Sequence, residues 1–114
     1  LFGITFSNLI FARRGGNFMA IVRLIYVKVN QSEADQAERM WKEHCAPLMI
    51  GQPGCLSEKL LRCTDNPGEF ISYSEWDNQE SIDKYRRSQA HEEIKRHAGN
   101  LQRERPTVKR YAVV

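Results

Sequence analysis

The stretch Ala20-Ile21-Val22-Arg23-Leu24-Ile25-Tyr26-Val27-Lys28-Val29 decides how the rest of the chain must fold. β-Branched and aromatic side chains dominate it, so it reads as a strand. Alternate residues point to opposite sides. Val22, Leu24 and Tyr26 share one face, and Ile21, Ile25, Val27 and Val29 the other. Both faces are apolar, so both need cover. One layer of helices covers a single face, and 114 residues leave no room for a second domain to cover the other.

Downstream, Ser32 is a plausible N-cap, with Glu33 and Asp35 in the first turn. Ala34, Ala37, Trp41, Cys45 and Leu48 form a helical stripe, which Pro47 should kink or end. Gly51-Gln52-Pro53-Gly54 is a turn. Strands over Cys55–Cys63 and Glu69–Trp76 flank Thr64–Gly68, which has hairpin chemistry. In the second of these strands Phe70, Ser72, Ser74 and Trp76 share a face, opposite Ile71, Tyr73 and Glu75. Asp77 and Glu80 make a capping-box pattern before a short helix carrying Ile82 and Tyr85. Ser88 caps another helix, with His91, Ile94, Ala98 and Leu101 on one side. After Pro106, Thr107–Val114 is the last strand.

The order β-α-β-β-α-β predicts an α+β, ferredoxin-like fold: a four-stranded antiparallel sheet with helices on one face. Face-to-face pairing of two such sheets would cover the remaining apolar face, so a homodimer is expected. So short a chain should also need its partner to wall off a substrate pocket.

Charge and cysteine content narrow the class. Residues 1–76 carry eight Lys/Arg and eight Asp/Glu; residues 77–114 carry nine and six. The basic residues at the C-terminal end alternate with acids instead of forming a dense basic stripe, so no nucleic-acid partner is expected. Cys45, Cys55 and Cys63 are odd in number and have no C-x-x-C spacing, which argues against a disulfide framework or zinc site and for a reducing, cytoplasmic setting.

Residues 1–18 differ from the rest. The apolar run Leu1–Ala12 is shorter than the ~20 residues of a membrane helix, and Arg13 and Arg14 follow it, the reverse of a secretory signal. No membrane association is expected. The segment reads as an extension of unclear origin, held by burying its apolar run, and Met19 opens the domain over residues 19–114.

Four local pieces carry a resemblance over residues 20–114: Trp41-Lys42-Glu43-His44-Cys45-Ala46-Pro47 closing the first helix, Pro53-Gly54-Cys55 opening the second strand, Glu75-Trp76 closing the third, and Ser88-x-x-His91 fifteen residues after that Trp. In this order and frame the chain resembles the antibiotic biosynthesis monooxygenase family of dimeric α+β barrels. The resemblance implies oxygenation of a small aromatic, such as a quinol or anthrone, by dioxygen without metal, flavin or haem. Deprotonating an electron-rich phenol gives an anion able to pass an electron to dioxygen, so the protein need supply only a dry pocket, orientation and a base. No G-x-G-x-x-G, P-loop or H-E-x-x-H motif is present, and no cofactor is expected.

His91 is the candidate base: imidazole titrates near neutral pH, and the resemblance aligns it with the family's S-x-x-H position. It could instead simply pack or cap. Trp76, Tyr73 and Tyr85 are candidates to stack on an aromatic substrate, or else core. Arg23, in an otherwise apolar strand, needs a partner if buried; Glu58 and Glu75 are possible mates, and an anionic substrate is another. His44 is a further candidate for the substrate site. The haem-degrading branch of the family is disfavoured, because its pattern meets Tyr85 and Lys95 here and the first strand has no Asn. Many quinol-oxidising relatives carry a histidine where Tyr85 stands, so a two-histidine pocket is not expected. Two alternatives remain open: an isomerase of a small phosphorylated signalling sugar, and a non-catalytic dimeric barrel that only binds its ligand.

Overall fold

The structure is a computed structural model that describes residues 19–114. The expectations placed on residues 1–18 lie outside the described residues. Strand β1 spans Ile21–Lys28, β2 Cys55–Arg62, β3 Glu69–Trp76 and β4 Thr107–Ala112. They form one sheet in the order β2-β3-β1-β4, with every neighbouring pair antiparallel. This is the ferredoxin-like arrangement expected from the element order.

Between β1 and β2, a 3₁₀ turn at Gln31–Glu33 leads into α1 (Ala34–Met40), a π turn (Trp41–Cys45) and α2 (Ala46–Ile50). The turn begins after Asn30, ahead of the expected cap at Ser32. The proline does not end the helix. The helix runs on through the π turn into α2, the Ala46 N–H donating to the Trp41 carbonyl five residues back just before Pro47. The wide π turn also shifts the phase of the stripe. Ala34, Ala37, Trp41 and Cys45 are buried as expected, but Met49, not Leu48, comes next.

Helix α3 spans Gln79–Arg86 and α4 Gln89–Gly99. The cap of α3 is Asn78, whose Oδ1 accepts from the Ser81 N–H at 2.9 Å, so the expected Asp77 box lies one residue out of place. Ser88 caps α4 as its sequence suggests, accepting from the His91 N–H at 3.2 Å and donating to the Tyr85 carbonyl at 2.6 Å.

All helices lie on one face of the sheet. On that side Trp41, Cys45, Met49, Trp76, Ile82, Tyr85 and Ile94 form the main core, and Val29, Ala34, Ala37 and Phe70 a second cluster. Val22, Leu24, Tyr26, Leu61, Ile71, Tyr73 and Tyr111 stand on the other face by register. Tyr26, Leu61 and Tyr111 are exposed, and the rest are only half-buried. An apolar sheet face this broad is unusual on a lone soluble domain. No helix among the described residues is long and apolar enough to cross a membrane.

Candidate functional site

Small side chains on both layers hold the helices off the sheet. Ser72 on β3, Ala37 on α1 and Ala98 on α4 leave a cavity of about 370 Å³ between helices and sheet. That volume lies at the lower end of the ~300–1,000 Å³ range of small-molecule pockets.

The cavity has two characters. Ile25, Val27, Phe70, Leu101 and Val108 make a greasy wall, while Arg23, Ser72, Tyr85 and His91 gather at a polar end. The expected α4 stripe of His91, Ile94, Ala98 and Leu101 faces this space in full.

His91 meets Tyr85 edge-on, ring centroids 5.0 Å apart. Its Nδ1 is buried and has no hydrogen-bond partner among the described residues. Burial lowers its pKa, and the positive charges of Arg23, Lys95 and Arg86 push the same way, favouring the neutral imidazole. Tyr85 is almost fully buried, and desolvation raises its phenol well above the usual value, leaving it a hydrogen-bond donor rather than a phenolate.

The other expected residues are placed differently. Trp76 is fully buried behind Tyr85, centroids 5.1 Å apart, with Nε1 donating to Ser74 Oγ at 2.9 Å; it supports Tyr85 without lining the cavity. Tyr73 lies on the open sheet face under the Lys59 ammonium, 5.9 Å from its ring centroid. His44 is exposed and stacks on His97 at 4.9 Å, away from the lining. The structure therefore brings together His91, Tyr85 and Arg23, with Trp76 behind them.

Arg23 is 4% exposed on the helix-facing side of β1, its guanidinium carbon 5.8 Å from the Tyr85 ring centroid. Of the two suggested mates, Glu75 is on the opposite face. Glu58 shares Arg23's face because of a β-bulge. Cys55 pairs with Trp76 and Ser57 with Glu75, so Leu56 is an extra residue that turns Glu58 inward opposite Ser74. Regular alternation from Cys55 would have sent it outward.

Glu58 is the residue that sequence reasoning missed as part of the site. Trp41 Nε1 donates to its Oε2 at 2.6 Å, and Ser72 Oγ to its Oε1 at 3.4 Å. Burial raises its carboxyl to about 7, against the opposing pull of those hydrogen bonds and of the Arg23 charge. Both donors line the cavity, so a proton can be held or released just behind its wall.

Cys45 and Cys55 are inert by the same physics. Burial pushes their thiols up to about 12 and about 11. Among the described residues no group of three or more His, Cys, Asp or Glu is placed to hold a metal ion.

Comparison with known proteins agrees with this fold. The family profile described as antibiotic biosynthesis monooxygenase matches residues 20–97. No curated protein matches the chain. Among solved structures, a Bordetella bronchiseptica protein assigned to the antibiotic biosynthesis monooxygenases is similar at 20% identity and a TM-score of 0.77, covering 84% of this chain and 98% of that one. A Caulobacter crescentus CB15 protein with the same assignment is similar at 16% identity and 0.75, covering 85% and 92%. A conserved Methanosarcina mazei Go1 protein follows at 18% identity and 0.73, covering 82% and 91%. At these identities the likeness concerns the fold.

Proposed function

Because the chain belongs to the antibiotic biosynthesis monooxygenase family, we propose that its cavity takes a small quinol- or anthrone-type aromatic and directs its oxygenation by dioxygen without metal, flavin or haem. The observation that carries this reading is His91 on the lining of a cavity of about 370 Å³ to which Ile25, Val27, Phe70, Leu101 and Val108 contribute an apolar wall. A neutral imidazole can accept a proton, and an apolar wall excludes the water that would quench a reactive anion.

For an anthrone the chemistry balances simply. His91 takes a proton from the activated ring position, and the resulting anion passes one electron to dioxygen. The radical pair combines to a hydroperoxide, which loses water to leave a ketone. One oxygen atom enters the product, the other leaves as water, and the two hydrogens of the methylene depart with it. Tyr85 and Arg23 bind and orient the substrate at the polar end, and Trp76 braces Tyr85. A second copy of the chain, packed sheet to sheet, would cover the open apolar face.

Oxygen uptake by the purified protein tests this, with a panel of hydroquinones and anthrones in the presence of a chelator. Uptake well above the protein-free rate, reduced at least ~100-fold in His91→Ala, is the expected result for a lost base. No uptake across the panel refutes the oxygenase reading, and binding without turnover would make the protein a ligand-binding barrel. Uptake unchanged in His91→Ala removes His91 as the base.

A further inference from the structure

We propose that the ligand of this cavity carries a permanent carboxylate on its aromatic body, and that Arg23 is the residue that binds it. Resting on the small-aromatic reading above, the inference adds the substrate's charge. Arg23 is 4% exposed, it lines the cavity, and its Nη1 has no hydrogen-bond partner among the described residues. None of the ion pairs among those residues includes it. A buried guanidinium left without a counter-ion is costly, and its planar fork matches a carboxylate.

The surroundings sharpen the demand for an anion. Arg86, Lys95 and Arg105 also line the cavity, and no Asp or Glu does. Arg110 stands beside Arg23 in register on β4. Burial opposes the Arg23 charge, as do Arg86 and Arg110, while Tyr85 favours it. Glu58 is the nearby acid, yet it is engaged by Trp41 and Ser72 and does not pair with the guanidinium. An arriving carboxylate would supply the missing charge, the guanidinium turning its enclosed, unpartnered Nη1 toward the cavity to meet it.

The rest of the lining selects the body attached to that anion. Ile25, Val27, Phe70 and Val108 offer no hydrogen bonds, so the hydroxyls of a phosphorylated sugar would be buried there unpaired. A fused or substituted aromatic ring would not carry that cost.

Titration calorimetry with three probes decides the matter: 2-naphthoate, its neutral counterpart 2-naphthalenemethanol, and ribose 5-phosphate. The wild-type protein should bind 2-naphthoate at least ~10-fold more tightly than the alcohol, in keeping with a charge-assisted hydrogen bond. Arg23→Gln should abolish that preference while still binding the alcohol, and Arg23→Lys should retain part of it. Equal wild-type affinities for acid and alcohol overturn the proposal, and the wild-type comparison needs no variant to fold. A preference that survives in Arg23→Gln, or tighter binding of ribose 5-phosphate than of 2-naphthoate, overturns it as well. Charge preference without oxygen uptake leaves this inference standing and refutes the oxygenase reading; uptake without charge preference does the reverse.

Discussion

The Trp41 indole donates to the Glu58 carboxylate across 2.6 Å, joining the π turn of the helix to the bulged strand of the sheet. The bond crosses the two layers beside the cavity, and its acceptor has a pKa raised by burial to about 7 against an ordinary 4.5. In the folded protein Glu58 keeps its proton through a range where the unfolded chain has lost it. Stability should therefore fall as pH rises from about 4.5 to about 7 and stay at the lower level above. At ~1.4 kcal/mol per pH unit, and allowing for solvent screening of a half-buried group, the loss is roughly 2–3 kcal/mol. Glu58→Gln keeps an acceptor for Trp41 and should remove this slope, making the variant more stable than wild type at pH 8 in urea denaturation. An equal slope in the variant would assign the pH dependence elsewhere.

His91 gives the opposite sign. Its folded pKa is lowered, chiefly by burial, so its contribution to stability is present above pH 6.5 and lost as pH falls toward the folded value. As the base, it should also place the acid limb of kcat/KM below pH 6.5. Arg86→Gln removes one of the positive charges that lower it and should move that limb, and the imidazole resonances in an NMR titration, upward. A limb that stays fixed while the resonances move would belong to another group.

The open sheet face supplies a prediction about assembly. Leu24 sits mid-sheet between Tyr73 and Lys109, among the half-buried and exposed apolar side chains of that face. Sedimentation should give a particle of two chains for the wild type at tens of micromolar, and one chain for Leu24→Asp. A wild type that sediments as a single chain defeats the sheet-to-sheet dimer.

Gly54 tests the turn before β2. Its φ is +87°, and a Cβ there would collide with Ser81 Oγ and Cβ and with Asp77 Oδ1. The backbone term alone is ~1–2 kcal/mol, so Gly54→Ala should cost at least ~2 kcal/mol by chemical denaturation. Adding Ser81→Gly should relieve the two Ser81 contacts and leave the Asp77 contact and the backbone part. A Gly54→Ala variant as stable as wild type would mean that the turn has another accessible form.

Sequence patterns located the elements well wherever a strong local signal existed. The alternation of Glu69–Trp76 gave β3 its bounds, and Ser88 is the cap it resembles. Caps competing within two residues were harder to separate: Asn30 preceded Ser32, and Asn78 took the place of Asp77. Of the residues named from the sequence, His91, Tyr85 and Arg23 line the cavity: His91 and Arg23 stand out on otherwise apolar faces, and Tyr85 is one of two large apolar side chains on its short helix. Tyr73 faces away because alternation on β3 puts it opposite Trp76. Glu58 was not legible as a site residue, since its inward direction depends on the bulge at Cys55/Ser57, which only pairing with β3 reveals. Its hydrogen bond to Trp41 likewise spans seventeen positions and two layers.

The five-residue turn between Trp41 and Cys45 also sets where the chain can change length. Losing one residue there would give a more regular helix, and each residue turns an α-helix by ~100°. The seven steps then left between Trp41 and Met49 make about two full turns, so both would still face inward; adding a residue instead would swing either the indole beside Glu58 or a fully buried methionine toward water. The exposed tip Thr64–Pro67 between β2 and β3 carries no such burden. Insertions are thus affordable in that hairpin and ruinous in a helix that looks, by composition, just as accommodating.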